Sequence, residues 1–203
     1  MHMPKPIAFF DTQFQRQVRE SDFALNPFEQ LALDYIAGTV LDYGCGLGNL
    51  SIAAARRGCR VVAIDASPTA VERIRAAAAH EKLAVEASGA DLSTHSIERS
   101  YDTIVAIGLL IFFRRERALA LLADIQANVA AGGCAIVNVL IEGTTYLGMF
   151  DPDNYYLFGR DELEQCFAGW KILVSRHDSF PAPGDTRKEF ATVIARRAAI
   201  NRE

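Results

Sequence analysis

The sequence predicts an α/β fold: a doubly wound, mostly parallel, seven-stranded sheet with a C-terminal antiparallel strand. Three observations carry that prediction. From residue 39 onward, short apolar runs rich in Val, Ile and Ala alternate with helix-length segments, the rhythm of parallel strands joined by crossover helices. The turn after the first run is the glycine loop Gly44-Cys45-Gly46-Leu47-Gly48, set between a strand and a helix. The last two apolar runs are separated only by "SFPAPGDTR", too short for a crossover helix, so that pair must be antiparallel.

Each element follows from its residues. The chain to about Leu25 is mixed and aromatic (Phe9, Phe10, Phe14, Phe23) and carries no assigned element. Residues 1–30 are expected to form an extension that covers the active site, and residues 31–200 the domain. "NPFEQLALDYIAG" predicts a helix capped by Asn26, with Pro27 in its first turn and Gly38 at its end. "TVLDY" is a buried strand, "NLSIAAARRG" a helix closed by Gly58, and "RVVAID" a strand. "SPTAVERIRAAAAHE" is a helix with Ser67 as cap and Pro68 first. "LAVEA" and "YDTIVAIG" are strands. Arg114–Ala131 reads as a helix with Ala118, Leu122, Ile125 and Val129 on one face. "GGCAIVNVLI" gives a turn and a strand, "RDELEQCF" a short helix, and "WKILVSRHD" and "KEFATVIARR" the terminal pair.

Composition narrows the function classes. The chain has 203 residues, 50% hydrophobic and 23% charged, as expected for one globular domain. No apolar run approaches the roughly 20 residues of a membrane-spanning helix. "MHMPKPIAFF" lacks the features of a secretion signal, so a cytoplasmic protein without a membrane partner is expected. A net charge of −4 makes nucleic acid an unexpected partner. The basic run "FFRRERA" reads as a solvated first helical turn. Cys45, Cys59, Cys134 and Cys166 show no metal-ligand spacing and read as reduced thiols, with a thiolate role for Cys45 the alternative. No metal site is expected, and "DPDN" (Asp151–Asn154) reads as a turn.

The glycine loop then has to choose its ligand. A dinucleotide fingerprint would place a third glycine at position 49, which is Asn49. Asp42 stands two residues before the loop. A carboxylate there repels a pyrophosphate but attracts a ligand carrying an ammonium and a sulfonium. Asp65, nineteen residues after Gly46, is placed to accept ribose hydroxyls, which either ligand would offer. Asp91 in "GADLS" is a third acid at a strand's C-terminal end, read either as an adenine contact or as an Asx turn.

"VLDYGCGLGNLS", "VVAIDAS", "GADLS" and "YDTIVAIGLLIFF" together resemble the successive motifs of the class I S-adenosylmethionine-dependent methyltransferases, from about Ala32 to Arg197. The resemblance implies a Rossmann-like fold and S-adenosylmethionine as cofactor. It implies Asp42, Gly44, Cys45, Gly46 and Gly48 around the methionine moiety, Asp65 and Ala66 at the ribose, Asp91 and Leu92 at the adenine, and Ile107 beside the cofactor. "FFRRERALALLADIQANVAAGGCAIVNVLI", "GRDELEQCFAGWKIL" and "EFATVIARR" are similar to the tellurite-resistance methyltransferase family, which implies a small-molecule methyl acceptor such as a tellurium or selenium oxyanion or a thiol. An oxygen- or nitrogen-directed enzyme for a small metabolite and a non-catalytic binding module stay open as alternatives. That family has a His-Arg segment between the last two strands. Here His177 and Arg187 stand at shifted positions and, with Arg16 and Arg19, are the candidates to receive an anionic acceptor.

The residues give no amide-binding Asn/Asp-Pro-Pro-Tyr loop after the fourth strand and no acidic pair for a catechol-type magnesium there, since Ile107 and Gly108 stand at that point. Tyr146, Phe150, Tyr155, Tyr156 and Phe158 are expected either to cover the site or to pack their own loop. No acid–base pair stands out, which suits a nucleophile that arrives already deprotonated, and suits an unrecognised base equally.

Overall fold

The computed structural model describes residues 5–199. Met1–Pro4, part of the stretch read for a secretion signal, and Ile200, the last residue of the expected domain, lie outside them. Helices α1 (Lys5–Glu20) and α2 (Pro27–Leu33) precede strand β1 (Thr39–Tyr43). There follow α3 (Asn49–Arg56), β2 (Arg60–Asp65), α4 (Pro68–Glu81), β3 (Val85–Gly89) and β4 (Tyr101–Ile107). A short 3₁₀ turn, Leu110–Phe112, leads to α5 (Arg115–Asn128), β5 (Val129–Leu140), α6 (Glu162–Cys166), β6 (Lys171–Ala182) and β7 (Thr186–Arg196). The seven strands are ordered β3-β2-β1-β4-β5-β7-β6. β1 to β5 pair in parallel, and β7 runs antiparallel to both β5 and β6. The strand order reverses between β1 and β4, and ligands of such sheets bind outside the strands' C-terminal ends at that reversal.

Two buried layers hold the sheet. On one face Leu41, Tyr43, Ile104, Val137 and Val139 pack with α5, α6 and the 149–158 loop. On the other, Val40, Val61, Val105, Ile136 and Ile194 pack with α2 and α3. Among the described residues no helix is long and apolar enough to cross a membrane.

Several boundaries differ from the sequence expectation. The chain before Leu25 is not without structure: Lys5–Glu20 is helical. α2 ends at Leu33 rather than running to Gly38, and it crosses the expected boundary at residue 30. The third strand is Val85–Gly89, two residues later than "LAVEA" suggests. The helix expected over Arg114–Ala131 stops at Asn128, and Val129 is extended (φ −73°, ψ 128°) and paired with Tyr101. The register shifts between Tyr101 and Thr103, and Gly132 holds a left-handed φ of 77°, so an irregular strand start takes three residues of helical propensity out of the helix. The short helix is Glu162–Cys166. The terminal hairpin is longer than expected: "SFPA" and "TR" are paired strand, and only Pro183–Asp185 turn.

Candidate functional site

Local chemistry builds the edge of β1. Gly44, Gly46 and Gly48 all hold left-handed φ angles (75°, 52° and 67°). Gly48 caps α3 in that conformation, and a Cβ there would lie 2.5 Å from Ile74 Cγ1 of α4. Only glycine both adopts this turn and lets α3 and α4 approach. Asp65, at the end of β2, ties the loop to the next one. Its Oδ2 accepts the Gly46 N–H at 2.8 Å and its Oδ1 the Ser67 N–H at 2.8 Å. Asp65, Ala66 and the glycine loop therefore form one hydrogen-bonded rim.

Asp42 lies beneath that rim, 5% exposed. Its Oδ2 accepts the Ser51 hydroxyl at 2.5 Å. Burial pushes its carboxyl up to about 7, the Ser51 hydrogen bond opposes that, and the carboxyls of Glu29 and Asp65 push further up. Among the described residues no cation pairs with it within 4.0 Å. Burial also raises Asp65 and Glu29. Glu29 sits in the first turn of α2, where its carboxylate accepts the Asn26 N–H at 2.8 Å while the Asn26 side chain accepts the Phe28 and Glu29 N–H groups. Three acids thus gather at the glycine turn; Arg73 faces Glu29 and donates to the Leu47 carbonyl at 2.5 Å, while among the described residues Asp42 and Asp65 have no ion pair within 4.0 Å.

The Cys45 thiol is buried and pushed well up by burial and by Asp42 and Asp65, which overturns the thiolate alternative.

The rim after β3 forms another wall. Asp91 is exposed, and its Oδ1 accepts the Ser93 N–H at 2.9 Å, an Asx turn that also lowers its carboxyl. Leu92 is buried, and its carbonyl accepts Arg117 Nη2 at 2.8 Å, as does the His95 carbonyl at 2.7 Å. The Tyr43 hydroxyl meets His95 Nδ1 at 3.0 Å. Arg114 and Arg115 are also engaged, Arg114 Nε with the Asp153 carbonyl and Arg115 with Tyr156 and Glu162. The basic run is not a merely solvated turn; its arginines hold two loops. Ile107 ends β4 half-buried, and the Gly108 N–H after it donates to the Asn138 carbonyl of β5.

α1 crosses this edge. The Ser67 hydroxyl donates to Asp11 at 2.5 Å, Phe14 lies 3.2 Å from where a Gly46 Cβ would stand, and Phe10 packs edge-on against Phe112 at 5.3 Å. Aromatic residues at 10 and 14 on one helical face were the available signal for this helix.

The two leading acceptor candidates are not brought to the rim. His177 is exposed on the outermost strand, its Nε2 2.8 Å from the Arg160 carbonyl. Arg187 is exposed and pairs with Glu189 at 3.1 Å. Both point to the face opposite α2, because strand residues alternate and Phe180 and Phe190, on the other parity, contact Phe28. Arg16 pairs loosely with Glu20 at 4.0 Å, and Arg19 is exposed. Phe150 and Phe158 are fully buried and pack their own loop, with Tyr155 stacked on Phe150 at 4.8 Å. Tyr156 bonds Glu162 at 2.5 Å. Two of the five face a cation, Tyr146 with Lys188 at 4.8 Å from its ring centre and Tyr156 with Arg115 at 5.8 Å. Asp151 and Asn154 close a turn by mutual bridging, and the described residues contain no group of three or more His, Cys, Asp or Glu that could hold a metal.

A family model described as a methyltransferase domain matches residues 40–133, the stretch from β1 to the start of β5 that carries the glycine loop and all three strand-end acids. The "Probable S-adenosyl-L-methionine-dependent methyltransferase TehB" of Haemophilus influenzae is 24% identical over 165 residues, covering 78% of this chain and 57% of that protein. The crystal structure of TehB from Haemophilus influenzae shares the fold with a TM-score of 0.75 at 21% identity, over 89% of this chain and 65% of that one. Residues 40–133 thus match a methyltransferase domain, and the chain has the class I S-adenosylmethionine-dependent methyltransferase fold. Hemagglutinin 1 of Eikenella corrodens is also similar to this chain, 32% identical over 133 residues, covering 66% of the chain and 44% of that protein. The chain spans about half the length of these two relatives.

Proposed function

We propose that the chain is an S-adenosylmethionine-dependent methyltransferase of a small molecule. The observation that carries the reading is Asp42: a buried acid with no cation of its own at the head of a glycine turn. A ligand bearing an ammonium and a sulfonium supplies the missing charge, whereas a pyrophosphate would be repelled. In this reading Asp42 and the backbone of Gly44, Cys45, Gly46 and Gly48 hold the methionine end. Asp65 keeps lone pairs for the ribose hydroxyls while its backbone bonds fix it, and Ala66, Asp91, Leu92 and Ile107 frame the adenosine. When bound, the cofactor supplies an electrophilic methyl: the acceptor's lone pair bonds to that carbon as the carbon–sulfur pair returns to sulfur.

The acceptor is a soft, already deprotonated nucleophile such as a thiolate or a selenium or tellurium oxyanion. The engagement of the two described edge histidines supports this, since His95 is held by Tyr43 and His177 by the Arg160 carbonyl. α1 covers the bound cofactor and keeps water from it.

Calorimetry with S-adenosylmethionine, S-adenosylhomocysteine and NAD tests the cofactor, and binding of NAD alone would sink the reading. A screen of tellurite, selenite, thiols and phenols for homocysteine-product release tests the reaction. Oxygen or nitrogen acceptors emerging alone would redirect the acceptor class. Cofactor binding with no turnover of any acceptor would assign a binding module instead.

A further inference from the structure

The β6–β7 hairpin rises beyond the sheet edge on which the glycine loop lies. Leu140, the last residue of β5, is opposite Phe190, so Lys188 stands two residues, about 7 Å, past the end of β5. Lys188 is directly across from Phe180 and shares its face with Phe190. Both rings contact Phe28 of α2, at 5.6 and 4.7 Å. Lys188 Nζ lies 4.8 Å from the centre of the Tyr146 ring, and Tyr146 is fixed beside it by its N–H bond to the Arg187 carbonyl.

This ammonium has no anion. Among the described residues no carboxylate lies within 4.0 Å of it. The carboxylates nearest in register are engaged elsewhere, Asp178 with Arg176 at 2.7 Å and Glu189 with Arg187 and Ser179. The side chain is half-buried, and burial lowers its pKa with no opposing charge.

We infer that Lys188 and Tyr146 form the acceptor subsite for an aromatic anion, with Lys188 meeting a carboxylate at the end of the arene remote from the nucleophile. A mineral oxyanion wants several donors around it, but here a single ammonium stands among aromatic rings, which offer an arene its contact area. β7 lies two strands beyond β4, about 10 Å. An arene with its nucleophile and its carboxylate at opposite ends spans that interval. The inference rests on the cofactor reading above and narrows the acceptor from soft anions in general to organic ones.

The test uses the full chain saturated with S-adenosylhomocysteine and titrates 4-mercaptobenzoate, its methyl ester, and selenite by calorimetry. The wild type is expected to bind the acid at least tenfold more tightly than the ester. Lys188→Met should erase that preference while leaving ester and S-adenosylhomocysteine affinities within about twofold, and Lys188→Arg should restore part of it. Equal binding of acid and ester, binding of neither, a preference that survives in Lys188→Met, or selenite binding above the arene would each overturn the inference. The acid–ester comparison needs no variant, so a misfolded mutant does not spare it. A wild type that binds no S-adenosylhomocysteine removes the cofactor reading first, and this subsite with it.

Discussion

The two ends of the sheet's C-terminal edge are built differently. Around β1 and β2 every group of the rim comes from residues 42–67, and each is placed by its own neighbours: a strand end, a glycine turn, a helix cap. Around β5 and β7 the wall is assembled from α2, the 142–159 loop and a hairpin near residue 188, segments far apart in the chain. The first region is short-range and rigid, and in it one atom too many breaks the site. The second is held by exposed pairs and rings, and single changes there should shift specificity more than folding.

The sharpest way to break that contrast is Gly48→Ala. The left-handed φ and a Cβ 2.5 Å from Ile74 together should cost about 2–5 kcal/mol. Urea unfolding should show the loss, and S-adenosylhomocysteine binding should fall below detection. A mild effect would mean that α4 yields easily and the loop is not rigid.

Asp42→Asn comes next, and its sign separates binding from stability. The carboxyl is held at about 7 against an ordinary 3.8. Between those values the unfolded chain has released its proton and the folded chain has kept it. Asp42 therefore lowers stability as pH rises from about 4 to about 7, by a few kcal/mol at most. In Asp42→Asn that slope should flatten, and the unliganded variant should melt higher than wild type at pH 8. Affinity for S-adenosylmethionine should fall on the order of 10–100-fold at the same pH. In the wild type that affinity should rise with pH through about 7, as the acid ionises. A pH-independent affinity in both proteins would place the cofactor's cation elsewhere.

Arg117→Ala should have a smaller effect. It frees the Leu92 and His95 carbonyls, and S-adenosylhomocysteine affinity should drop about tenfold or less, with stability lower by about 1–3 kcal/mol. Hydrogen exchange should locate the loosening at residues 91–96. His177→Ala and Arg187→Ala should be the quietest, each within about twofold of wild type in cofactor affinity and in turnover, because both side chains are exposed on the far face. A large loss of turnover in either would move the acceptor to that face.

Much of the first region was legible. Ser67 and Pro68 announce α4, and the cap and proline stand where the sequence puts them. Asp42, the three glycines and Asp65 could be singled out because a strand end and a tight turn are local events. Asn26 was legible as a cap, but Glu29 was not read as a third acid near Asp42, because that proximity depends on how α2 packs against β1. The end of α5 was hidden because Ala130 and Ala131 favour a helix as readily as Ala127 does. What stops the helix is Val129 pairing with Tyr101, 28 residues earlier. Lys188 carried no signal at all: one lysine in a polar hairpin reads as solvated until Tyr146 and two phenylalanines are seen around it.

By itself the sequence determined the strand–helix rhythm, the antiparallel closure and the carboxylate-fronted glycine turn, since these depend on backbone preferences and periodicity within a few residues. Only the tertiary structure decided that α1 lies over Gly46 and Ser67, that Arg117 holds the loop after β3, and that Lys188 meets the Tyr146 ring with no carboxylate within 4.0 Å among the described residues. Those outcomes turn on burial and on contacts between segments tens of residues apart, and neither quantity exists until the chain has folded.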